Sequence, residues 1–164
     1  TAYDSAVVRA SGSATVTASA HVAVHIHSAH VVATGGVIID VPGLDLSDAV
    51  SWCAHHGVDV VAGVATVFKS VDDSWTTGRG TDYSPGSLPE APDWRDDHEC
   101  GGGLHFSPWP WQALEYHPEV TRFVAVGVAI ETLRPIWDGV PQCKAPRVVV
   151  ACREVTIDGA EVSS

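Results

Sequence analysis

Small apolar residues recur at alternate positions in the first part of the chain, in a repeat of eight that runs from residue 2 to about residue 33. Alternation with a period of two is typical of β-strands, and a fixed short repeat indicates stacked coils that bury a shared face. We therefore predict a short β-solenoid, similar to a β-helix, in this segment. One valine from each repeat should point inward in a single column: Val8, Val16, Val24 and Val32.

The pattern changes to helical spacing at residues 45–56, where apolar residues recur every three to four positions. Asp45 or Ser47 is suited to cap the start of this helix, and Gly57 is suited to end it in the left-handed conformation. We expect the helix to close the solenoid. The chain then divides into three parts: the repeat at 1–43, the helix with a linking strand at 44–62, and a head domain at 63–164.

The remaining pattern predicts a head made of strands with one further helix. Apolar segments indicate strands at 58–61, 63–71, 121–129 and 147–155, and residues 133–136 are expected to form a further short strand or a turn. A helix is predicted at 110–117, because Pro110 suits a first turn. The predicted fold class is mostly β or α+β, with a short N-terminal β-solenoid, a capping helix and a compact α+β head.

Composition disfavours several classes of function. Hydrophobic residues make up 45% of the 164 residues, which is enough for a core. The net charge of −11 disfavours a broad nucleic-acid-binding face. No apolar run reaches the roughly 18 residues of a membrane span. Because the chain starts within the repeat and contains no methionine, we expect a fragment or processed chain. We also expect that the chain can self-associate through the repeat.

The glycine-rich stretch at 98–108 is the strongest candidate for a functional site. Cys100 is followed by three glycines and then by His105 within a short apolar segment. Glycine lets a ligand or a second strand approach the backbone closely. We expect polar side chains from a preceding strand, such as Lys69, and from the long loop at 72–100, such as Tyr83, to gather here. Loops of that length in a compact domain are usually functional.

Four residues in this region have side chains that can bind zinc: His98, Cys100, Cys143 and Cys152. Their spacing lacks the CxxC pair of a zinc knuckle, and the alternative is that the cysteines are buried free thiols. We also predict that the glycine-rich strand and the last strand are neighbours in the head. Cys100 and Cys152 should then lie close together.

A further set of features links the glycine-rich stretch to the last strand. Paired aspartates precede Cys100, the motif Gly103-Leu104-His105-Phe106 follows it, and the last strand reads Cys152-Arg153-Glu154-Val155. With these features, residues 64–156 resemble the C-terminal domain of phage rapid-lysis B (rIIB-type) proteins. The resemblance carries no settled biochemical role. It implies a bacterial or phage-encoded protein, and we expect a cytoplasmic location.

The glycine-rich stretch, followed by Ser107 and a helix, is also similar to the central strand and helix of ADP-ribosyltransferase-like domains. This similarity implies an NAD-related activity of effector or toxin type, in which Glu154 orients a ribose hydroxyl and stabilises a cationic transition state. His105 completes the predicted catalytic centre, so His105 and Glu154 should face one cleft. Residues expected to contact NAD are Lys69, Tyr83, Gly103 and Ser107. The chain departs from the family pattern at Lys69, where the family has Arg or His, and at His105, where Tyr or Ser is common.

A non-enzymatic alternative is a recognition module on a repetitive stalk, with or without a structural zinc. Tryptophan is favoured at interfaces, and the surface would be built from Trp75, Trp94, Trp109, Trp111 and Trp137. Trp109 and Trp111 are separated only by Pro110, so at least one of them should be exposed. The sequence alone leaves both the enzyme and the recognition module open, and it specifies neither substrate nor partner.

Overall fold

The computed structural model describes residues 6–27, 30–40, 45–120, 122–136 and 140–162. The chain forms two compact units, 1–45 and 46–164. Strands predominate in the described residues and helices are few, so the protein is mostly β. None of the helices within these ranges has the length and apolar character that crossing a membrane requires. Trp137 and the start of the predicted repeat, residues 2–5, lie outside the described residues.

The described part of the first unit contains five short strands: β1 (Val7–Ala10), β2 (Thr15–Thr17), β3 (Ala23–Ile26), β4 (Val32–Thr34) and β5 (Val37–Asp40). Strands β1, β3 and β5 pair in parallel as one sheet, and β2 and β4 pair in parallel as another. The chain therefore returns to the same sheet at every second strand. Short strands in the predicted repeat are confirmed for the residues that the structure describes.

The predicted single column of valines is wrong, because consecutive repeats alternate between the two sheets. Val8 pairs with Val24 in the first sheet, where Val24 is fully buried. In the second sheet Val16 pairs with Ala33, one position off the repeat, which leaves Val32 59% exposed. From β1 to β3 the chain returns to the same sheet after two eight-residue blocks rather than one, because Val24 pairs with Val8. From β3 to β5 the return is two residues shorter, because Val24 pairs with Ile38.

Gly35 lies where neighbouring segments of the first unit approach closely. It has φ +74, and an added Cβ would lie 2.1 Å from the carbonyl oxygen of Ala18. Gly35→Ala should cost roughly 1–3 kcal/mol from overpacking, in addition to backbone strain. The loss should appear as faster hydrogen exchange of the Ala18 amide, which donates to the Thr34 carbonyl at 2.9 Å.

The matched control for this prediction is Gly12→Ala. Gly12 also has a positive φ, +65, but an added Cβ there would meet no atom within 4 Å. The two variants therefore share the backbone strain and differ in the steric clash. Equal exchange rates for the Ala18 amide in both variants would contradict the prediction.

The second unit contains two helices and seven strands among the described residues: α1 (Ala49–His56), β6 (Val60–Val61), β7 (Val64–Val71), β8 (Leu104–Phe106), α2 (Pro110–Ala113), β9 (Arg122–Ala129), β10 (Arg134–Ile136), β11 (Gln142–Ala145) and β12 (Val150–Val155). A 3-10 helix at Ile130–Thr132 follows β9. The strands form two antiparallel sheets with the orders β12-β9-β7-β6 and β10-β11-β8. A bridge between Phe68 and Ser107 links β7 to the segment that follows β8.

The predicted first helix is four residues shorter at its start than expected. It begins at Ala49, and the cap is Asp48, whose carboxylate accepts the Ser51 N–H at 2.8 Å. Gly57 ends it in the left-handed conformation, as predicted. The second helix is also shorter than predicted, because α2 ends at Ala113 and gives way to turns.

The core of the second unit includes α1, because Trp52 and Cys53 are buried together with residues of the sheets. The predicted separate segment at 44–62 is therefore part of the head unit from residue 46 onward. Alternate residues of a strand share a face. On β7, Val67 and Val71 are fully buried in this core, and Lys69 lies between them on the same face. A lysine thus occupies a position that the pattern reserves for an apolar residue.

Candidate functional site

A cavity of about 310 Å³ lies between β7, β8 and the loop around residues 77–83. This volume falls at the lower end of the roughly 300–1,000 Å³ that is usual for small-molecule sites. Apolar walls come from Phe68, Leu104 and Phe106, and polar groups come from both strands and the loop. The cavity is therefore large enough to surround a small ligand.

The charge of the cavity is opposite to that of the chain. Lys69 and Arg79 line it, as do His105 and His117, and no aspartate or glutamate is among the described residues that line it. The whole chain has 20 acidic residues against 9 basic ones. A cationic pocket in an acidic protein attracts anions selectively, because the surrounding surface repels them.

Lys69 is the central cation of the cavity. Its ammonium donates to the His105 carbonyl at 2.9 Å and lies 5.8 Å from the centre of the Tyr83 ring. Among the described residues no carboxylate lies within ion-pair distance of it. Burial, reinforced by the nearby Arg79, lowers the pKa of Lys69 to about 8. The strand holds this amine inward without supplying a counter-ion.

The other predicted contact residues line the same cavity. Tyr83 is buried, packs edge-to-face on Phe106 with ring centroids 6.3 Å apart, and has a pKa raised by burial. Ser107 is buried at the bridge to β7, and Gly103 opens the cavity wall. The structure therefore brings together all four residues that were predicted to contact a cofactor: Lys69, Tyr83, Gly103 and Ser107.

His105 lines the cavity, but its ring is used to hold the glycine loop. Its Nε2 accepts the Gly101 N–H at 3.1 Å, and the ring makes a further hydrogen bond with the Gly103 backbone. Because Nε2 accepts, Nδ1 carries the proton that is donated. Burial, followed by the charges of Lys69, Arg79 and Lys144, lowers the pKa of His105 to about 4. A neutral imidazole with both nitrogens occupied is a structural group rather than a proton acceptor.

Lys144 binds two groups of the same glycine loop. It lies opposite His105 in the pairing of β11 with β8, and its side chain is fully buried. The ammonium makes a short ion pair with Asp97 and donates to the Gly101 carbonyl at 3.1 Å. The hydrogen bond that Lys144 donates to the Asp97 carboxylate is the leading cause of the lowered pKa of Asp97. Lys144 therefore has the counter-ion that Lys69 lacks.

The three glycines are required by the close fold of the loop. Gly103 has φ +140, and an added Cβ would lie 2.9 Å from the ring of Trp94. At Gly102 an added Cβ would lie 2.8 Å from the side chain of Arg95. The run of glycines thus lets the loop pack on the preceding residues, which places Gly103 in the cavity wall.

The structure does not bring Glu154 to the cavity. Glu154 accepts a hydrogen bond from Arg122 at 3.1 Å, and Arg122 also lies 4.5 Å over the Trp75 ring. Its strand, β12, is at the far edge of the four-stranded sheet, whereas His105 is on β8 in the other sheet. The expectation that His105 and Glu154 face one cleft is therefore not met.

The candidate zinc ligands are dispersed. Strand β8 pairs with β11 rather than with β12, so the predicted neighbourhood of the glycine-rich strand and the last strand is wrong. Cys100 is exposed, whereas Cys143 and Cys152 are buried, and all three are free thiols. His98 makes a hydrogen bond between Nδ1 and the Pro135 carbonyl at 2.9 Å. The described residues contain no group of three or more metal-binding side chains.

The predicted surface tryptophans that the structure describes differ in exposure and in the side chains they contact. Trp109 and Trp111 are 37% and 51% exposed, which confirms that this pair cannot be wholly buried. Trp75 packs under Arg122, and Trp94 lies against Lys144 with the ammonium 5.6 Å from the ring centre. Two of the predicted surface residues thus support cationic side chains in the head.

Sequence reasoning missed Gln142, Thr77, Thr81 and Tyr116 as cavity residues. Gln142 begins β11, a strand of four residues between two prolines that has no apolar run. The two threonines flank the segment Gly78-Arg79-Gly80. Two glycines around a basic residue were the feature from which a binding loop could have been predicted there.

Taken together, the fold and the cavity define a mostly β domain with an acidic exterior and a small cationic ligand pocket. Residues 65–162 match the family model described as "Domain of unknown function (DUF7666)". The match covers more than half of the chain, which therefore belongs to this family. All residues that line the cavity lie within the matched region. No curated protein and no solved structure matches the chain.

Proposed function

We propose that the head is a recognition module that binds a small anionic ligand in the Lys69 cavity. The observation that carries the proposal is a lysine held inward between buried valines, beside Arg79, in a cavity whose described lining has no carboxylate. Ammonium and guanidinium groups bind phosphate and carboxylate through charge-assisted hydrogen bonds. A bound anion would supply the counter-ion that Lys69 lacks among the described residues.

Arg79 fits the role of a second contact at the rim. Its side chain is 70% exposed and makes a long ion pair with Asp93, at 3.4 Å. Exposed pairs of this kind contribute little to stability. An anionic ligand in the cavity can therefore replace Asp93 as the partner of this guanidinium at a small cost in free energy. The apolar walls exclude water, which strengthens the contacts of the ligand with Arg79 and Lys69.

The proposal is tested by calorimetric titration with inorganic phosphate and pyrophosphate. Lys69→Gln should weaken binding by about 10- to 100-fold, which corresponds to one charge-assisted hydrogen bond of roughly 1.5–3 kcal/mol. Arg153→Gln is the matched control, because it removes the same charge from a surface pair with Glu161 outside the cavity. Equal affinity in wild type and Lys69→Gln would rule out this pocket as the anion site.

An NAD-related activity is the second candidate. It is favoured by the convergence of Lys69, Tyr83, Gly103 and Ser107 on one cavity whose cations suit a pyrophosphate. The residues fit only in part. A cavity of about 310 Å³ encloses a fraction of a dinucleotide, and no glutamate is among the described residues of its lining. NAD binding much tighter than pyrophosphate binding would favour this candidate, and equal binding would favour recognition of the anion alone.

We also propose that the parallel strands of the first unit belong to a β-solenoid. The support is the pairing of every second strand in parallel, with Val8, Val24 and Ile38 in register. A solenoid with open ends can stack on a second copy, and self-association through this unit is part of the proposal. Sedimentation at increasing concentration tests it, since a strictly monomeric protein would argue against stacking.

A further inference from the structure

The chain has two lysines, and both approach the same short strand from different sides. Lys144 pairs with Asp97 and with the Gly101 carbonyl, so its ammonium is neutralised and held. Lys69 donates one hydrogen bond, to the His105 carbonyl at 2.9 Å, and lines the cavity. The two amines therefore differ in their access to a ligand. The Lys144 ammonium is bound to groups of the loop, whereas the Lys69 ammonium faces the cavity.

The surroundings of Lys69 favour an uncharged amine. It lies among buried apolar residues, with a second cation nearby and no carboxylate partner among the described residues. These are the two conditions that activate a lysine as a nucleophile: desolvation and a neighbouring positive charge. With a pKa of about 8, on the order of a tenth of the amine is neutral at pH 7. A neutral amine has a lone pair that can attack a carbonyl carbon.

We propose that Lys69 forms a reversible imine with a small carbonyl compound that carries an anionic group. This inference rests on the proposed function, because the same cavity must first bind the anion. Arg79 holds the anionic group at the rim, and the carbonyl carbon is presented to Nζ inside the cavity. The backbone carbonyl of His105 fixes the direction of the amine through its hydrogen bond.

The step balances without an oxidant or a reductant. The Nζ lone pair forms a C–N bond and the carbonyl π electrons move to oxygen. One proton then passes from the nitrogen to that oxygen. The resulting carbinolamine then loses its hydroxyl group and the remaining amine proton as water, which leaves a C=N bond. One water molecule is released for each imine formed, and hydrolysis restores the free lysine and the carbonyl compound.

The experiment uses glyoxylate as the probe and sodium cyanoborohydride to trap the imine, followed by intact-mass measurement and peptide mapping. We expect one adduct per chain, located at Lys69. Lys69→Arg should lose the adduct to background while retaining a glyoxylate-dependent rise in melting temperature, because arginine keeps the positive charge. Lys144→Arg should retain the adduct. Acetaldehyde, which lacks the anionic group, should label wild type several-fold less than glyoxylate does.

The outcomes separate this inference from the proposed function. A melting-temperature shift with glyoxylate but no trapped adduct would overturn the imine and leave the anion site in place. Neither a shift nor an adduct would overturn both. Labelling at Lys144, or equal labelling in Lys69→Arg and wild type, would show non-selective amine chemistry and would also overturn the imine.

Discussion

Replacing Lys69 with methionine is expected to stabilise the head and to weaken anion binding as strongly as Lys69→Gln does. Burial holds the pKa of Lys69 at about 8, below its usual 10.5, so the folded state disfavours the ammonium at pH 7. That shift corresponds to a penalty of roughly 3 kcal/mol for burying the ammonium, which the variant does not have. The variant also loses the hydrogen bond to the His105 carbonyl, which reduces the gain by about 1 kcal/mol. The free energy of unfolding should therefore rise by about 2 kcal/mol in urea denaturation at pH 7.

The pH dependence of this gain distinguishes it from better packing. Below pH 8 both the folded and the unfolded wild type carry the proton on Lys69, so the full penalty is present. Between pH 8 and 10.5 the folded state has released the proton and the unfolded chain still binds it, so wild-type stability rises. The advantage of Lys69→Met should shrink across this window, and an advantage that does not depend on pH would contradict the explanation.

Lys144→Met is the control for the lysine substitution. Lys144 has its counter-ion in Asp97 and donates to the Gly101 carbonyl, so its removal deprives the glycine loop of two contacts. The expected effect is destabilisation, opposite in sign to Lys69→Met. The contrast would identify Lys69 as a residue kept at a cost in stability, which is common at functional sites.

Gly127→Ala is expected to destabilise the head by about 3 kcal/mol, at the upper end for overpacking. Gly127 lies on β9 between Thr66 of β7 and Val150 of β12. An added Cβ would lie 2.6 Å from the Val150 Cβ and 2.8 Å from the Val64 Cγ1. Relief requires the flanking strands β7 and β12 to separate, and β7 carries Lys69 and part of the cavity wall.

Gly78→Ala is the matched control for the sheet glycine. No atom lies within 4 Å of an added Cβ at Gly78, and its φ is not in the left-handed region. The two substitutions thus add the same methyl group, one into a packed sheet and one into open space. Similar urea midpoints for the two variants would show that the sheet accommodates the methyl group.

That the cavity residues lie together could be predicted from the sequence, because the signals that mark them lie within short stretches of the chain. Lys69 interrupts an apolar strand, and the glycines before His105 mark a close backbone approach. Both signals depend only on alternation and on glycine conformations. The short strands of the repeat were predictable for the same reason, since a period of two is visible without knowledge of the fold.

The sheet order could not be predicted, and the errors on Glu154 and the cysteines follow from it. Alternation indicates which residues of β12 share a face, but it does not indicate which strand lies beside β12. Strand β11 has no apolar run, so its pairing with β8 is set by tertiary contacts rather than by local preference. In the repeat, likewise, the period gives the block length but not the number of blocks per turn.

The presence of only two lysines gives this protein two built-in spectroscopic reporters. Selective ¹⁵N labelling of lysine would place one side-chain label in the ligand cavity and the other in the ion pair that holds the glycine loop. A ligand that occupies the cavity without moving the loop would change the Lys69 signal and leave the Lys144 signal in place. Changes in both signals would show that ligand binding in the cavity also changes the conformation of the glycine loop.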